Sequence, residues 1–441
     1  MTRKDDLIKF ENFYKGDSEA IYSEFKSRYV STDVATADKF PFRDFVFQNF
    51  VRVIQSERVN FIPVEFEVSV GVGDKPDDTL TKEVLEWLDS PNFGGGKTFW
   101  ESLQGYYLTR ENFGDLFLKL YVEDGETKVQ KMFSEDVTIL CDPQDIRTVT
   151  GYVFEWEQTV DIGEDNEQIV KMREEVDGEA YRTYQEDTLV TEESHSFDFI
   201  PVVKITREEQ DGIRYGRSGI EDLIEPQTAI NMILTKRAWA TKHNSFRVWS
   251  PKSAGDVNED TPIKISPGSC SSFPIEAVGG DIDMTCLENE LSDAKSHIYH
   301  LGAVPNPEKS EGLNTNISAV ALNKMLEPLR KYTRGKLPYL RKGFSELIEK
   351  AFLINGKEIE VTINYPNLEM EDRALVVQEA KFYSELGYEE KALKVMGCDE
   401  AERKEMEDDR EKTQLEREER QEQFMNKMTE RGDMEEEDDD T

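Results

Sequence analysis

The stretch FDFIPVVKITREEQDGIRYGRSGIEDLIEPQTAIN, residues 197–231, decides the fold because short strands give way to long helices within it. Its first part, IPVVKIT, predicts the last strand of a β-rich region. Ser218 and Glu221 have the spacing of a capping box, which predicts that a helix starts there. Pro226 lacks an amide donor, so we expect it to kink or restart this helix. Apolar residues follow helical spacing at Ile220, Leu223, Ile224, Ile230, Ile233, Leu234 and Ala238.

The chain before this stretch mixes helices with strands. Residues 1–110 have a mostly helical pattern with one alternating strand, PVEFEVSV, at residues 63–70. After Gly114, the segment DLFLKLYVEDGETKVQKMF predicts a hairpin with Asp124-Gly125 as its turn. Further strands are predicted at GYVFEWEQTV, IVKMREEV and YRTYQEDTL. We therefore predict a mixed helical and β region up to residue 215.

After residue 215 the pattern changes to long helices. The first helix is predicted to end near His243. Residues 244–283 are rich in Pro, Gly and Ser and indicate a small insert with short β pieces. A second helix over residues 284–301 returns the chain, and residues 302–316 form a loop with two prolines and two glycines.

A third helix is predicted over residues 317–354 and should bend, because Pro328 and Pro338 lie inside it. NGKEIEVTINYP then supplies one more strand. Residues 367–405 have a helical pattern again. The chain ends in a dense acidic tail that cannot bury enough apolar surface to fold by itself, so its terminus should be disordered.

Composition limits the classes of function. The chain has 441 residues, of which 37% are hydrophobic and 33% charged, and its net charge is −38. This charge argues against tight binding of nucleic acid, because Lys and Arg supply most of that affinity. It does not exclude DNA in transit, since a repulsive wall keeps a polyanion from sticking. No apolar run approaches the ~20 residues that span a bilayer, and the N-terminus lacks the apolar core of a secretory signal.

Metal and cofactor motifs are missing from the sequence. Four scattered cysteines, without a CxxC pair, indicate reduced thiols. His297 and His300 share a helix face but have no carboxylate at metal-ligand spacing. The many acidic residues make close pairs such as Asp281 and Asp283 expected by chance, so we interpret them as a solvated face. We predict no metal site, no cofactor and no catalytic residue.

The segment PNFGGGKTFW partly matches the sequence motif of a nucleotide-binding phosphate loop. Gly96-Lys97-Thr98 matches the end of a phosphate-binding loop, but the first glycine of that pattern falls on Pro91. The loop also requires a preceding strand, whereas LTKEVLEWLDS has a helical pattern. We interpret the segment as a turn between two helices. Four residues near the end of the first long helix are expected to pack at a subunit contact rather than stack on bases: Trp239, His243, Phe246 and Trp249.

The region from residue 200 to about residue 353 resembles the central part of tailed-phage portal proteins. Their recurring block has a "PVV" strand, then "G-x-S-x-I", then a helix with "Q-x-A-I-N". Here these are Pro201-Val202-Val203, the segment from Gly216 to Ile220, and Gln227-Thr228-Ala229-Ile230-Asn231. Downstream, Ser318, Ala321, Leu322 and Pro328-Leu329 are similar to the family's "S-x-x-A-L…PL" helix. The order of helix, β insert, helix, loop and long bent helix is also similar.

The resemblance implies an α+β portal-type fold with a mixed wing, a two-helix stem, a small β-containing clip, a long kinked channel helix and a helical crown. The implied divisions are the wing at 1–215, the stem helices at 216–243 and 284–301, the clip at 244–283, the tunnel loop at 302–316, the channel helix with a returning wing strand at 317–366, the crown at 367–405 and the acidic tail at 406–441.

For function, the resemblance implies a homo-oligomeric ring of about twelve subunits at one capsid vertex of a virion, assembled in the host cytoplasm. Double-stranded DNA would pass through it during packaging and ejection. Its implied partners are the large terminase subunit, a head–tail adaptor, and the major capsid and scaffolding proteins, with no membrane. Twelve helices about 10 Å apart would enclose an opening of roughly 28 Å, enough for a duplex.

Two sets of site residues follow from the resemblance. In the tunnel loop, we expect Pro305, Asn306, Glu308, Lys309 and Ser310 to come closest to DNA, with Lys309 as a transient phosphate contact. An ordinary exposed connector is the alternative. In the clip, Trp249, Phe273 and Ile275 are the expected interface anchors, because large apolar groups in so small a module have little core to fill. A minimal local core is the alternative.

The sequence is also compatible with two other functions. The first is an acidic scaffolding or chaperone-like protein without a DNA channel, which would be a monomer or dimer. The second is an enzyme that uses residues 90–125 as a nucleotide site. The mass of the protein in solution separates a ring from a scaffold, and ATP turnover lost on Lys97→Ala would favour the enzyme.

Overall fold

The computed structural model describes residues 2–29, 44–72, 75–145, 147–161, 167–195, 197–210, 213–245, 248–251, 275–278, 284–310, 319–368, 381–383 and 391. The chain divides into two compact units, Met1–Thr315 with Met325–Leu368, and Asn316–Lys324 with Glu369–Thr441. The sheets, the cores and the site described below belong to the first unit.

Helices dominate the beginning and the later part of the described chain. Their bounds are α1 Arg3–Lys15, α2 Ser18–Tyr29, α3 Phe50–Asn60, α4 Asp78–Leu88, α5 Phe99–Phe113, α6 Glu221–Ser245, α7 Met284–Leu301, α8 Pro307–Ser310 and α9 Ala319–Ile354.

Strands fill the middle of the chain and return after α9. Their bounds are β1 Glu67–Val72, β2 Lys75–Pro76, β3 Asp115–Glu123, β4 Glu126–Met132, β5 Val137–Cys141, β6 Val149–Asp161, β7 Glu167–Asp177, β8 Ala180–Gln185, β9 Thr188–Ser194, β10 Val202–Thr206, β11 Val248–Pro251, β12 Ile275–Val278 and β13 Glu360–Asn364.

The strands form antiparallel sheets in the orders β13-β1-β2, β10-β3-β4, β5-β6-β7-β8-β9 and β11-β12. The predicted hairpin is confirmed, because Glu123 pairs with Glu126 across the Asp124-Gly125 turn. The strand predicted after the third helix is also confirmed, and it pairs with β1 about 290 residues earlier in the chain. The α+β class with antiparallel sheets is therefore confirmed.

Three apolar clusters stabilise the first unit. One joins α4, α5, the sheet of β1 and β13, and the C-terminal half of α9, with Phe99 and Phe344 fully buried. A second joins α1 and α3 to the two long helices α6 and α7. A third packs β5, β6 and β7 against Phe117 of β3 and Val202 of β10. The strand PVVKIT thus contributes to two clusters, since successive side chains point to opposite faces.

The segment from Gly216 to Ile220 packs directly on the end of α5. A Cβ on Gly216 would overlap the carbonyl oxygen of Gly114, and a Cβ on Gly114 would overlap the carbonyl oxygen of Gly216. Gly114 also has a φ of 87°, which favours glycine. The Gly219 amide donates to the Glu111 carbonyl oxygen over 2.8 Å. The glycines of this segment therefore permit close backbone approach rather than flexibility.

Gln227 and Asn231 of α6 are fully buried polar residues with a structural role at the start of α3. The Gln227 side-chain oxygen accepts the amides of Phe50, over 2.8 Å, and Val51, over 3.2 Å. These are amides of the first turn, which have no partner inside their own helix. The Gln227 amide group in turn donates to the Asn231 side-chain oxygen. The "Q-x-A-I-N" pattern therefore joins α6 to α3.

The capping box predicted at the start of α6 is wrong. The helix begins at Glu221, and the Ser218 hydroxyl instead accepts the Ile220 amide and donates to the Asn112 carbonyl oxygen. The Glu221 carboxylate binds the Arg217 side chain over 3.0 Å, so no capping box forms. Pro226 lies inside the helix, which continues through it without a restart, and the alternative of a kink stays a prediction. The Ser218 hydroxyl therefore binds α5 instead of capping α6.

The segment YRTYQEDTL was predicted as one strand, but it contains the end of β8, a turn at Glu186-Asp187 and the start of β9. Glu186 adopts a φ of 53°, which reverses the chain between the two strands. The helix predicted over residues 284–301 is confirmed as α7, and the third helix is confirmed as α9 with Pro328 and Pro338 inside it. The predicted helices over residues 367–405 lie outside the described residues, apart from 381–383 and 391.

Candidate functional site

A buried cluster of charged side chains lies where α3, α5, β10 and α9 meet. Its members are Arg58, Arg110, Glu111, Arg207 and Tyr332, and we call it the buried charge cluster. Arg110 and Glu111 are 0% exposed, although both stand near the C-terminal end of α5. Unpaired charges are almost never buried in this way, so each member requires a partner.

Glu111 is the centre of the buried charge cluster. One of its carboxylate oxygens accepts the Arg207 side chain over 2.9 Å and also the Tyr332 hydroxyl. The other oxygen accepts Arg110 over 3.4 Å. Burial by itself would raise the pKa of Glu111, but the surrounding guanidinium groups hold that pKa below its ordinary value. Glu111 is therefore ionised at neutral pH.

Arg58 connects the two long helices α6 and α7 at the cluster. Its side chain donates to the Gly219 carbonyl oxygen over 2.9 Å, two residues before α6. It also donates to the Gly302 carbonyl oxygen over 2.8 Å, one residue after α7. Its guanidinium lies 4.4 Å from the centre of the Tyr332 ring. One side chain thus ties the start of α6 and the end of α7 to α9.

The cluster contains three arginines and one carboxylate, so carbonyl oxygens must offset the remaining positive charge. Arg110 donates to the Thr206 carbonyl oxygen over 3.1 Å and to the Lys336 carbonyl oxygen over 3.2 Å. The Gly302 carbonyl oxygen that Arg58 binds lies at the negative end of the α7 dipole. Burial lowers the pKa values of Arg58 and Arg110, but the guanidinium group remains protonated at neutral pH.

The contacts of this cluster position α9 and provide no acid or base for catalysis. Tyr332 is held by a hydroxyl contact to Glu111 and a 2.8 Å contact to Arg207, and burial raises its pKa to about 12. A neutral tyrosine and a fully paired carboxylate are poor acids and bases at neutral pH. Outside the cluster, Lys336 of α9 binds Glu208 over 2.7 Å. These contacts fix the register of the middle of α9 against the end of β10.

The first part of the expected tunnel loop is anchored to α7. The Val304 amide donates to the Tyr299 carbonyl oxygen over 3.1 Å, and Val304 is buried. The Asn306 side chain reaches Ser296 over 3.4 Å, and Glu308 binds Lys295. Pro305 and Asn306 are half-buried. Lys309 and Ser310 belong to the short helix α8, and residues 311–318 lie outside the described residues.

The expected clip anchors are described only through their backbone. Trp249 pairs with Ala277, and Ile275 pairs with Pro251, in the β11-β12 ladder. Phe273 lies outside the described residues. Trp239 of α6 is 43% exposed. The structure therefore brings Trp249 and Ile275 onto neighbouring strands but does not test their role at an interface.

The segment PNFGGGKTFW, which partly matches a phosphate loop, is a turn between two helices, as predicted. The helix α4 precedes it, and Thr98 caps α5 in a capping box with Glu101. Gly94, Gly95 and Gly96 all have positive φ. Among the described residues, no group of three or more His, Cys, Asp and Glu side chains could hold a metal ion. No described helix is long and apolar enough to cross a membrane.

Sequence patterns did not identify the buried charge cluster. Glu111 meets Arg207 across 96 positions and Tyr332 across 221 positions of the chain. Hydrophobic periodicity detects faces within one element and carries no signal for charges that pair between elements. The glycines Gly216 and Gly219 were the available clue, since they mark close backbone approach beside the cluster.

Comparisons with known proteins cover most of the chain. The model of the family described as "Phage portal protein, SPP1 Gp6-like" matches residues 2–423. A search of curated proteins found no match. A structure of the virion of a native gene transfer agent particle aligns at 13% identity over 76% of this chain and 85% of that chain, with a TM-score of 0.44. The neck of a native gene transfer agent particle computed with C12 symmetry aligns at 14% identity over 77% and 86%, with a TM-score of 0.42.

Proposed function

Because the chain belongs to the family of SPP1 Gp6-like phage portal proteins, we propose that it forms a ring at one capsid vertex through which double-stranded DNA is packaged and later ejected. The observation that carries this proposal is the family match, which spans residues 2–423. The order of elements supports it, since two long helices flank a β ladder and a third long helix follows them. The role is structural rather than catalytic.

In this proposal the paired helices α6 and α7 are the stem, and the β11-β12 ladder belongs to the clip. The clip, with Trp249, Phe273 and Ile275, would dock the large terminase subunit during packaging and a head–tail adaptor afterwards. The wing and crown would face the major capsid and scaffolding proteins. These partners all bind the assembled ring, so a rigid connection between the stem and the wing is required.

The buried charge cluster supplies such a connection. Arg58 holds the start of α6 and the end of α7, and Tyr332 holds α9 to the same place. Beside the cluster, Lys336 of α9 also binds Glu208. Residues 302–310 leave α7 directly beside this cluster. We propose that Pro305, Asn306, Glu308, Lys309 and Ser310 approach the DNA, with Lys309 as a passing phosphate contact. The net charge of −38 fits a conduit that does not retain DNA.

The mass of the purified protein tests the proposal. We expect a species of about twelve subunits, each of 50.9 kDa, that appears as a ring with a central opening in negative-stain micrographs. Mass photometry over a range of protein and salt concentrations gives the assembly state, and micrographs of the same samples give the shape. Monomers or dimers under every condition would instead favour an acidic scaffolding or chaperone-like protein.

A further inference from the structure

The helix α9 is basic in a strongly acidic chain. It contains eight Lys and Arg against three Glu, a net charge of +5, whereas the whole chain has a net charge of −38. Its basic residues are Lys324, Arg330, Lys331, Arg334, Lys336, Arg341, Lys342 and Lys350. Copies of such an acidic chain repel each other at long range. A local basic surface can offset this repulsion by attracting an acidic surface of a neighbouring copy.

Four of these side chains form one exposed face, which we call the basic face: Lys331, Arg334, Arg341 and Lys342. The 3.6-residue period of a helix places these positions on one side of α9. The Lys331 side chain is 73% exposed. Arg341 and Lys342 make no ion pair with any residue that the structure describes. Lys331 binds Glu327 over 3.2 Å, so Arg341 and Lys342 are the part of the basic face without an ion pair to any described residue.

The sheet of β5 to β9 carries the opposite charge. Residues 149–194 contain fourteen Asp and Glu against three Lys and Arg, a net charge of −11. Its edge strand β9 has seven exposed residues, including the apolar Leu189 at 46% and Val190 at 56%. We call its border the acidic edge: Glu186, Asp187, Glu192 and Glu193. Apolar groups exposed among charges are typical of a surface that another chain covers.

The two edge strands of this sheet, β5 and β9, differ in whether side chains bind their outward backbone groups. On β5, the Ile139 amide donates to the Tyr215 hydroxyl over 3.1 Å, and the Ile139 carbonyl oxygen accepts Arg214 over 3.3 Å. Those side chains block the edge against further pairing. On β9, the described ladder runs to β8 only, and no described side chain binds the outer backbone groups. The acidic edge is thus the open one.

We propose that the basic face of one subunit packs against the acidic edge of the next subunit in the ring. This inference rests on the proposed function, because a closed ring is built from head-to-tail contacts between two different surfaces of the same chain. A second copy is favoured over DNA because every copy carries both charged surfaces. A basic face that gripped phosphates would also oppose the passage of DNA.

Two charge-reversal variants of the full chain test the pairing. The face variant is Lys331→Glu with Arg341→Glu and Lys342→Glu, and the edge variant is Asp187→Lys with Glu193→Lys. Each variant by itself brings like charges together, so we expect the protein concentration at half-assembly to rise at least about tenfold. A control with the same charge change as the face variant is Arg52→Glu with Lys82→Glu and Lys97→Glu, which should assemble normally.

Mixing the two variants in equal amounts should restore rings in which the variants alternate, because each reversed face then meets a reversed edge. Mass photometry gives the assembly state, and an unfolded variant would not be rescued. Rings of the face variant at wild-type concentration, or no recovery on mixing, would overturn the inference. So would normal rings with weakened retention of a double-stranded DNA fragment, which would assign the face to phosphates. Wild-type protein that never forms rings would overturn the proposed function itself.

Discussion

Two buried carboxylates near the end of α5 have opposite electrostatic situations. Glu111 is surrounded by arginines, which hold its pKa below 4.5 in spite of burial. Asp115 is equally buried, and burial raises its pKa above 3.8 although Lys204 and the Gly216 amide favour the charged form. One Asp115 oxygen accepts the Gly216 amide over 2.8 Å, and the other has no hydrogen-bond partner among the residues that the structure describes. The free energy of ionising a buried carboxylate therefore depends on its neighbouring groups and not on its position in a helix or strand.

We expect Glu111→Gln to destabilise the fold by about 3–5 kcal/mol, because it leaves buried guanidinium groups without their carboxylate. The stability that ionised Glu111 contributes is complete above its unfolded pKa, near 4.5, and is lost as the pH falls through its lower folded pKa. Urea unfolding followed by circular dichroism between pH 3 and pH 7 measures both effects. Equal stability of variant and wild type at neutral pH would contradict the role given to the cluster.

Asp115→Asn is the matched comparison with the opposite sign. Ionised Asp115 costs free energy in the folded state above its raised pKa, and this cost is relieved as the pH falls toward 3.8. We expect the neutral amide to leave stability unchanged or to raise it by roughly 1 kcal/mol at pH 7. A loss as large as that of Glu111→Gln would show that burial, and not the arginine partners, determines the effect.

At the scale of one element, α9 contains two glycines with different surroundings. A Cβ on Gly343 would lie 2.5 Å from Cγ1 of Ile205 in β10, whereas a Cβ on Gly335 would meet nothing within 4 Å. Gly343 thus permits the close packing of the helix on the sheet. Gly335 is a helical position with no tertiary requirement for glycine.

We expect Gly343→Ala to destabilise the fold by about 1–3 kcal/mol, since the extra methyl group must displace Ile205 or the helix. Gly335→Ala is the control in the same helix, and it should stabilise by up to about 1 kcal/mol through helix propensity. Thermal unfolding of the two variants gives the comparison. If both substitutions shift Tm in the same direction, the close contact between α9 and β10 is not what Gly343 provides.

At the scale of the whole molecule, residues 302–310 follow α7 along the chain and begin beside the buried charge cluster, where Gly302 binds Arg58. Their contacts to α7 hold the first half of the segment in place before any neighbour or DNA is present. A segment that is positioned in this way can approach a central opening in the same manner in every subunit of a ring.

Replacing residues 305–314 by an equal length of Gly and Ser should leave ring assembly intact, because none of the described residues 305–310 belongs to an apolar cluster. DNA packaging or retention should fall, since the proposed channel contacts are removed. Micrographs measure assembly, and DNA content per particle measures packaging. Normal packaging and retention would remove the tunnel-loop assignment while leaving the ring proposal standing.

The sequence by itself determined the fold class, most strands, the positions of the long helices and the resemblance to portal proteins. These depend on local periodicity, on turn residues such as Asp124-Gly125, and on the order of elements along the chain. Such signals lie within 10 to 20 neighbouring residues, roughly the length of an element, and a linear pattern retains them.

Only the tertiary structure decided which charged residues are buried together and which remain exposed. Glu111 and Lys342 both lie in amphipathic helices, yet one is enclosed by arginines and the other lies on an open face. Ser218 likewise binds α5 instead of capping α6. The physical reason is that the free energy of a charge or a hydroxyl depends on the groups within a few ångströms, and those groups come from distant parts of the chain.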